Sequence, residues 1–527
     1  MLSLDRMGQP TPGLFRTLSN LVHYGQQAAS VQKDYMARQA AKEAQRAIDA
    51  NEVSNRMGNA RIGEAADFDA MGWRAPAEDP HGPLLGFDEN GDPVFLNDDT
   101  HIVYSAPPGF GKTWQGLVPM LVSLALGPDH QKQGTISLDL KSELYLSTAV
   151  GLATAYGRES LAHNPFGVNG IPSVDINPFS DFPERARMGE PIVEDVSARL
   201  MLFFQERMKA KGESAWITKA AKYASDCLMV SAAFTEPENC NLAALADVSM
   251  MERDVFIGIF EDMMKSEDLA GGFVSSMARK IVADYGRQDE WSMKACGWIQ
   301  QEIHDAFHLY QEGTKLRKQV LKTDFDFGSL KREPRAFYVI CDPTMVESHG
   351  AHMAAVMAFI TQQVATSEGP QRVNLVAEEA GNFPVIGSLP FAVRLYRSKG
   401  VRVIAVFQDR KAAENYKAWG GWNLFAANSV VATWAVSEAA FAADIEARAG
   451  QRAELIPTPS WSPGSGSMGT TARHEPVLSR SKVGLIGHGQ TILMVPGSPV
   501  FVLNRFPWDQ IPWIAPYVRD LRDGGES

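Results

Sequence analysis

Seven short apolar segments recur along the chain: Ile102–Tyr104, Thr135–Leu138, Ala336–Cys341, Val373–Ala377, Val401–Phe407, Ser429–Trp434 and Ile492–Val495. Several are continuous apolar runs rather than alternating ones, which is the pattern of strands buried on both faces of a largely parallel sheet. Between Glu184 and Thr323 the pattern changes to helical spacing, clearest in Ser214–Phe234 and Gly272–Tyr285. This stretch reads as an all-α insertion that leaves an α/β domain after its first few strands and returns near Phe325. The chain thus divides into an N-terminal helical arm (1–83), an α/β domain in two pieces (84–183 and 324–527) and an all-α insertion (184–323).

Smaller features fit around this frame. Residues 14–56 are rich in Ala, Gln and charge, and Leu14, Leu18 and Leu21 give a thin apolar stripe at helical spacing. They read as a helix or helical pair, either a peripheral arm or a partner-binding element. The run from Gly86 to Leu96 reads as a hairpin with Asn90-Gly91 at the turn. It lacks the closing Glu that a calcium loop of similar spacing needs. Residues 456–474 are rich in Pro, Ser and Gly and read as a mobile loop.

Composition narrows the class. With 527 residues, 45% hydrophobic and 21% charged, the chain is ordinary globular protein and too long for one compact core. Cys227, Cys240, Cys296 and Cys341 form no CxxC pair, so a zinc site or disulfide framework is not expected and a reducing cytosol fits. No window approaches the ~18–20 apolar residues of a membrane span, and the best candidate, Gly116 to Gly127, is broken by Pro119. The net charge of −12 argues against a surface uniformly coated for nucleic acid, while leaving room for a local basic channel in an assembly.

The chemistry centres on Ala106-Pro107-Pro108-Gly109-Phe110-Gly111-Lys112-Thr113. A strand runs into it and a helical segment follows, the context a P-loop requires. The N–H groups of Gly109, Phe110, Gly111, Lys112 and Thr113 would curl round a β-phosphate at a helix N-terminus. Lys112 would neutralise phosphate oxygens, and the Thr113 hydroxyl would hold Mg²⁺. Ala106 stands where the first glycine is usual, and the two prolines remove amides upstream of the cradle. A second element is Val373–Ala377 ending in Glu378-Glu379, where a metal-binding acid and a catalytic base belong. Gln408, closing another apolar strand, is placed to sense the γ-phosphate or the attacking water. Arg394 and Arg397 are candidate arginine fingers, with surface arginines as the default reading.

These residues, taken in order, resemble the type IV coupling proteins of conjugation and secretion systems, in the HerA–FtsK class of RecA-like ATPases. Besides the P-loop, the resemblance rests on Asp139-Leu140-Lys141-Ser142-Glu143-Leu144, similar to the family's D-x-K-x-E-L. It continues through Asn164-Pro165-Phe166-Gly167, Asn177-Pro178-Phe179, Thr323-Asp324-Phe325-Asp326, Glu378-Glu379, Arg397-Ser398-Lys399-Gly400, Gln408 and Glu475-Pro476-Val477-Leu478-Ser479. It covers roughly residues 84 to 510, and the ordered set is more specific than any one motif.

The resemblance implies a RecA-like P-loop domain with an inserted all-α domain, and a homo-hexameric ring with ATP sites between subunits. Position by position, Lys112 and Thr113 bind phosphate and Mg²⁺, Glu379 is the base, Arg397 reaches the neighbouring subunit's nucleotide and Gln408 is the sensor. The implied function is ATP-driven delivery of DNA, or a relaxase–DNA complex, to a type IV secretion channel, with DNA held mainly through phosphates. Glu378 replaces the usual Asp, and the family's two N-terminal membrane helices are not found. The expectation is a cytoplasmic protein recruited to the inner membrane by a separate membrane partner. Basic stretches such as Arg207-Lys209-Lys211-Lys219-Lys222 and Lys315-Arg317-Lys318 are candidate DNA contacts, each weighed against a solvated helix face. Two alternatives stay open: a cytosolic receptor for protein substrates, and a DNA translocase of a chromosome or defence system.

Overall fold

The computed structural model describes residues 60–521, apart from 78, 212–214, 382–387, 437, 463–464 and 488, together with residues 32, 35, 36, 38, 39 and 42. Those six are helical and exposed, whereas the stripe of Leu14, Leu18 and Leu21 lies outside the described residues. The chain forms two compact units. Among the described residues, one comprises 64–435, 486–496 and 501–521, and the other comprises those up to 63, with 436–485 and 497–500.

The larger unit is built on an eleven-stranded sheet. In chain order its strands are β1 (Leu84–Phe87), β2 (Pro93–Phe95), β3 (His101–Ser105), β4 (Gly134–Asp139), β5 (Leu161–His163), β6 (Ala336–Ile340), β7 (Val373–Ala377), β8 (Val401–Phe407) and β9 (Ser429–Thr433). After the hairpin of β10 (Gln451–Ser462) and β11 (Ser465–Pro476), β12 (Gln490–Met494) and β13 (Val500–Asn504) complete it. The spatial order is β2-β1-β13-β12-β9-β3-β8-β7-β4-β6-β5. From β9 to β5 the neighbours are parallel, while β12 meets β9 antiparallel and β1 pairs antiparallel with β2 and β13.

The fold class is therefore the α/β arrangement that the apolar runs imply, and all seven runs are strands. Ile102, Tyr104, Ile404, Val406, Val430 and Ala432 join Leu117, Met120 and Leu121 in one core cluster. Residues of the opposite parity, Val103, Val403, Ala405 and Val431, are buried as well. Burial on both faces is why these segments carry no polar alternation. The 86–96 run is a hairpin, its turn stapled by Asp88 Oδ1, which accepts from the backbone N–H groups of Asn90 and Asp92, both at 2.9 Å.

Helices follow one another from Phe182–Arg187 to Lys315–Gln319 within this same unit. They enclose an apolar cluster that runs from Phe179 to Val320, including Phe204, Phe260, Ile299, Ile303 and Phe307, and is joined by Ala355. At the neck the outgoing and returning chains pair. Ile176 N–H donates to the Gln319 carbonyl at 2.8 Å, Asn177 N–H to Lys322 at 2.9 Å, and Asp324 N–H to Asp175 at 3.1 Å. The two Asn-Pro-Phe motifs serve these loops. Asn164 bonds the 168–171 turn through both ends of its amide, and Asn177 Nδ2 donates to the Cys240 carbonyl at 2.9 Å.

The smaller unit holds the helices Ala439–Ala449 and Arg480–Leu485, linked by Arg480 Nε to Glu446 Oε1 at 3.2 Å. It also overturns the mobile-loop reading of 456–474. Gln451–Ser462 and Ser465–Pro476 form an antiparallel ribbon, in register from Gln451↔Pro476 to Ser462↔Ser465. A two-stranded ribbon has two free edges, so proline is tolerated where its missing N–H would face outward. Pro457 and Pro459 are two residues apart and fall on the same edge. All four cysteines are free and buried.

Candidate nucleotide-binding site

β3 ends in the middle of the sheet, and the chain turns through Ala106–Gly111 before the helical turn Lys112–Leu117 and the helix Val118–Ala125. The turn is fixed at its start by Ala106 N–H, which donates to the Phe407 carbonyl at the end of β8 at 3.0 Å. It is fixed at its end by Gln115 N–H, which donates to Gly111 at 2.8 Å. Gly109 and Gly111 have φ of 81° and 77°, a conformation other residues adopt only at a cost. At Gly111 a side chain would also lack room, because a Cβ would lie 2.9 Å from Gln115. The result is a helical turn led in by a glycine loop, the geometry of an anion site.

The end of β7 brings the acidic pair to this loop. Thr113 Oγ1 donates to Glu378 Oε1 at 2.9 Å across 265 residues of sequence. Glu378 is buried, and its carboxyl is pushed up to about 8 by burial first and by the neighbouring Asp139 second. Glu379 is partly exposed and sits at φ 55°, with its Oε1 3.9 Å from Lys141 Nζ. A non-glycine residue at positive φ is strained, and such strain clusters at functional sites. Burial lowers the pKa of Lys112, and Glu379 and Glu378 act against that shift. Gln408 follows β8 at this same end and is half-buried.

Asp139, given no role from the sequence, belongs to the same cluster. It closes β4 beside β7, with Leu138 paired to Ala377, and it is fully buried. Its Oδ2 accepts from Tyr145 N–H at 2.8 Å, while Oδ1 has no partner among the described residues. Burial raises its pKa to about 6 against its backbone hydrogen bonds. The available signal was an acid at the end of an apolar strand, the same one that singled out Glu378. A divalent cation would add counter-charge for Glu378 and Asp139 beyond that of Lys112, and Thr113 Oγ1 already touches Glu378. Among the described residues no three His, Cys, Asp or Glu are grouped to hold a metal alone.

Arg397 is not at this loop. It precedes β8, whose seven residues separate it from Gln408 by about 20 Å at ~3.3 Å per residue. Its Nη2 pairs with Asp99 Oδ1 at 2.8 Å, just ahead of β3. Arg394 Nη2 donates to the Trp419 carbonyl at 2.6 Å. Four residues of the basic stretches pair with carboxylates within the chain. Lys222 is buried against Asp226 at 2.6 Å, Arg207 binds Glu302 and Asp305, Lys211 binds Glu302, and Arg317 binds Asp247 and Glu312. Lys219 and Lys318 are exposed.

Solved structures share this fold. The unbound bacterial conjugative coupling protein TrwB, lacking its N-terminal part, aligns over 84% of this chain and 92% of its own at a TM-score of 0.56 and 13% identity. This chain has the fold of a coupling protein. The TrwB complex with a non-hydrolysable ATP analogue aligns over 86% and 94% at 0.57 and 13% identity. The TrwB complex with ADP and Mg²⁺ aligns over 85% and 94% at 0.56 and 12% identity. No protein-family profile and no curated protein sequence matches the chain. Among the described residues no helix is long and apolar enough to cross a membrane.

Proposed function

We propose that the chain is a Mg²⁺-dependent ATPase of the coupling-protein type, which recruits DNA or a relaxase–DNA complex and delivers it to a type IV secretion channel. The observation that carries this reading is the Thr113–Glu378 hydrogen bond, which joins the phosphate loop to the acid-tipped strand. The coupling-protein fold supports it, as does the ordered set of motifs along the chain. Gly109 to Thr113 would hold the phosphates of ATP by backbone amides and the Lys112 charge. Thr113 and Glu378 would hold Mg²⁺, which supplies Lewis-acid stabilisation of the phosphates when bound. Glu379 is the base that takes a proton from the attacking water, and Gln408 orients that water. The reading includes a homo-hexamer in which Arg397 serves the neighbouring subunit, and a separate membrane protein as the anchor at the channel.

The test is steady-state ATPase activity of the purified chain with and without DNA. Lys112→Ala is expected to lower turnover by about 100-fold or more, because the charge at the phosphates is lost, with the circular dichroism spectrum unchanged. Turnover indifferent to this substitution would remove the assignment. A receptor for protein substrates is the second reading, favoured by the internal pairing of Arg207, Lys211, Lys222 and Arg317. Strong stimulation by DNA supports the motor; tight binding of a secreted protein without stimulation by DNA supports the receptor.

A further inference from the structure

β9 ends at Thr433, and the next residue, Trp434, is buried. Trp434 N–H donates to the Ser105 carbonyl at 3.0 Å, and Thr433 Oγ1 donates to the same carbonyl at 3.1 Å. The last residue of the strand that feeds the phosphate loop is therefore held twice from β9. The indole ring also presses on the helical turn that follows the loop: a Cβ at Gly116 would lie 2.5 Å from it. Glycine here gives room for the close approach of a ring to a helix backbone.

Arg505, from the segment after β13, stacks on that ring with its guanidinium carbon 3.7 Å from the ring centre. Its Nε donates to the Gln490 carbonyl at 3.0 Å, and its Nη1 donates to the carbonyl of Phe110, inside the phosphate loop, at 3.5 Å. Arg505 is buried, and its Nη2 has no partner among the described residues. Burial lowers the guanidinium to about 10 against an opposing contribution from Tyr104, and no carboxylate pairs with it among the described residues. A buried cation without a counter-charge is costly. Beside a loop shaped for phosphates, the ligand itself brings the missing negative charge.

We propose that Arg505, stacked on Trp434, is a positioning residue that holds the phosphate loop in its ligand-ready form through the Phe110 carbonyl. Its charge adds to the field that draws the nucleotide phosphates in. This inference rests on the reading of Gly109–Thr113 as the nucleotide site.

The experiment titrates the full chain with a fluorescent ATP analogue, measures kcat and KM, and records the melting temperature of the nucleotide-free protein. In Arg505→Met the dissociation constant should rise about tenfold or more, and KM should rise by a larger factor than kcat falls. Arg505→Lys should lie between Arg505→Met and wild type. The nucleotide-free melting temperature of Arg505→Met should stay at or above the wild-type value, because an unpaired buried charge is removed. Gly116→Ala, which displaces Trp434 and leaves the charge intact, should weaken binding in the same direction.

Wild-type affinity in either Arg505→Met or Gly116→Ala would overturn the proposal. So would weakened binding in Arg505→Met that comes with a lower melting temperature and is not partly rescued in Arg505→Lys, since that marks a merely structural arginine. Nucleotide binding by wild type that is indifferent to Lys112→Ala would remove the site and the brace together. Lys112-dependent binding with Arg505→Met equal to wild type would remove the brace alone.

Discussion

At the scale of single residues, the site is a set of side chains that converge from strand ends far apart in sequence. Lys112 and Thr113 were legible because all their chemistry sits in one contiguous stretch between a strand and a helix. Glu378 and Glu379 were legible as acids closing an apolar strand. Asp139 carried the same signal at the end of β4, but Arg505 did not: it meets Phe110 across 395 positions, so only the sheet order reveals the contact. The two glutamates are expected to differ in role, since Glu378 bonds Thr113 while Glu379 is turned into a strained conformation toward Lys141. Glu379→Gln should bind ATP and fail to release it, because shape is kept and the base is lost. Filter-bound nucleotide after a chase measures this. ATP trapping in Glu378→Gln, with Glu379→Gln fully active, would mean that the roles are reversed.

At the scale of elements, strands buried on both faces announce themselves as apolar runs, and the seven runs singled out in the sequence are strands, whereas the apolar run after the phosphate loop is the helix Val118–Ala125. Shorter or mixed segments did not. β5 has three residues, and the β10–β11 ribbon is coded in proline, serine and glycine, whose turn preference outweighs a pattern that pairing with a second strand makes possible. A buried histidine relay is likewise invisible in sequence. His163 on β5 and His352 on the helix Val346–Thr366 approach with their Nε2 atoms 3.3 Å apart, and Tyr310 OH lies 3.2 Å from His352 Nδ1. Neutral rings satisfy this chain if Tyr310 donates to His352, His352 to His163, and His163 Nδ1 to the Val174 carbonyl at 2.9 Å.

Burial lowers His163 to about 4 and His352 well below its usual value of 6.5, and burial lowers His101 to about 4 as well. The unfolded chain therefore takes up these protons before the folded one does. Their contribution to stability is complete above about 6.5 and is lost as pH falls from there toward about 4. In thermal melts between pH 7 and 4.5 the histidines should lower the midpoint by several degrees, against the raised carboxyls of Glu378 and Asp139, which favour the folded state as pH falls. The fall should be smaller in His352→Gln, which has no proton to take up at that position. An equal fall in wild type and His352→Gln would show that other groups govern acid stability.

At the scale of the whole molecule, the phosphate loop, Glu378, Glu379 and Gln408 lie at one end of the parallel strands, and Arg397 lies at the other beside Asp99. With about 20 Å of β8 between them, Arg397 does not serve the nucleotide of its own chain in this arrangement. The proposed ring resolves this, because the trailing end of one subunit's sheet would meet the loop of the next. Fingers of this kind are worth roughly 10³–10⁵ in rate in other nucleotide hydrolases. The measurement that tests the central claim most directly is ATPase activity in mixtures of Arg397→Ala and Lys112→Ala subunits, each inactive alone. Mixed interfaces that pair an intact loop with an intact Arg397 should recover part of the wild-type rate, rising to a maximum at an intermediate ratio. Mixed rings that form and show no recovery at any ratio would contradict an ATP site shared between subunits.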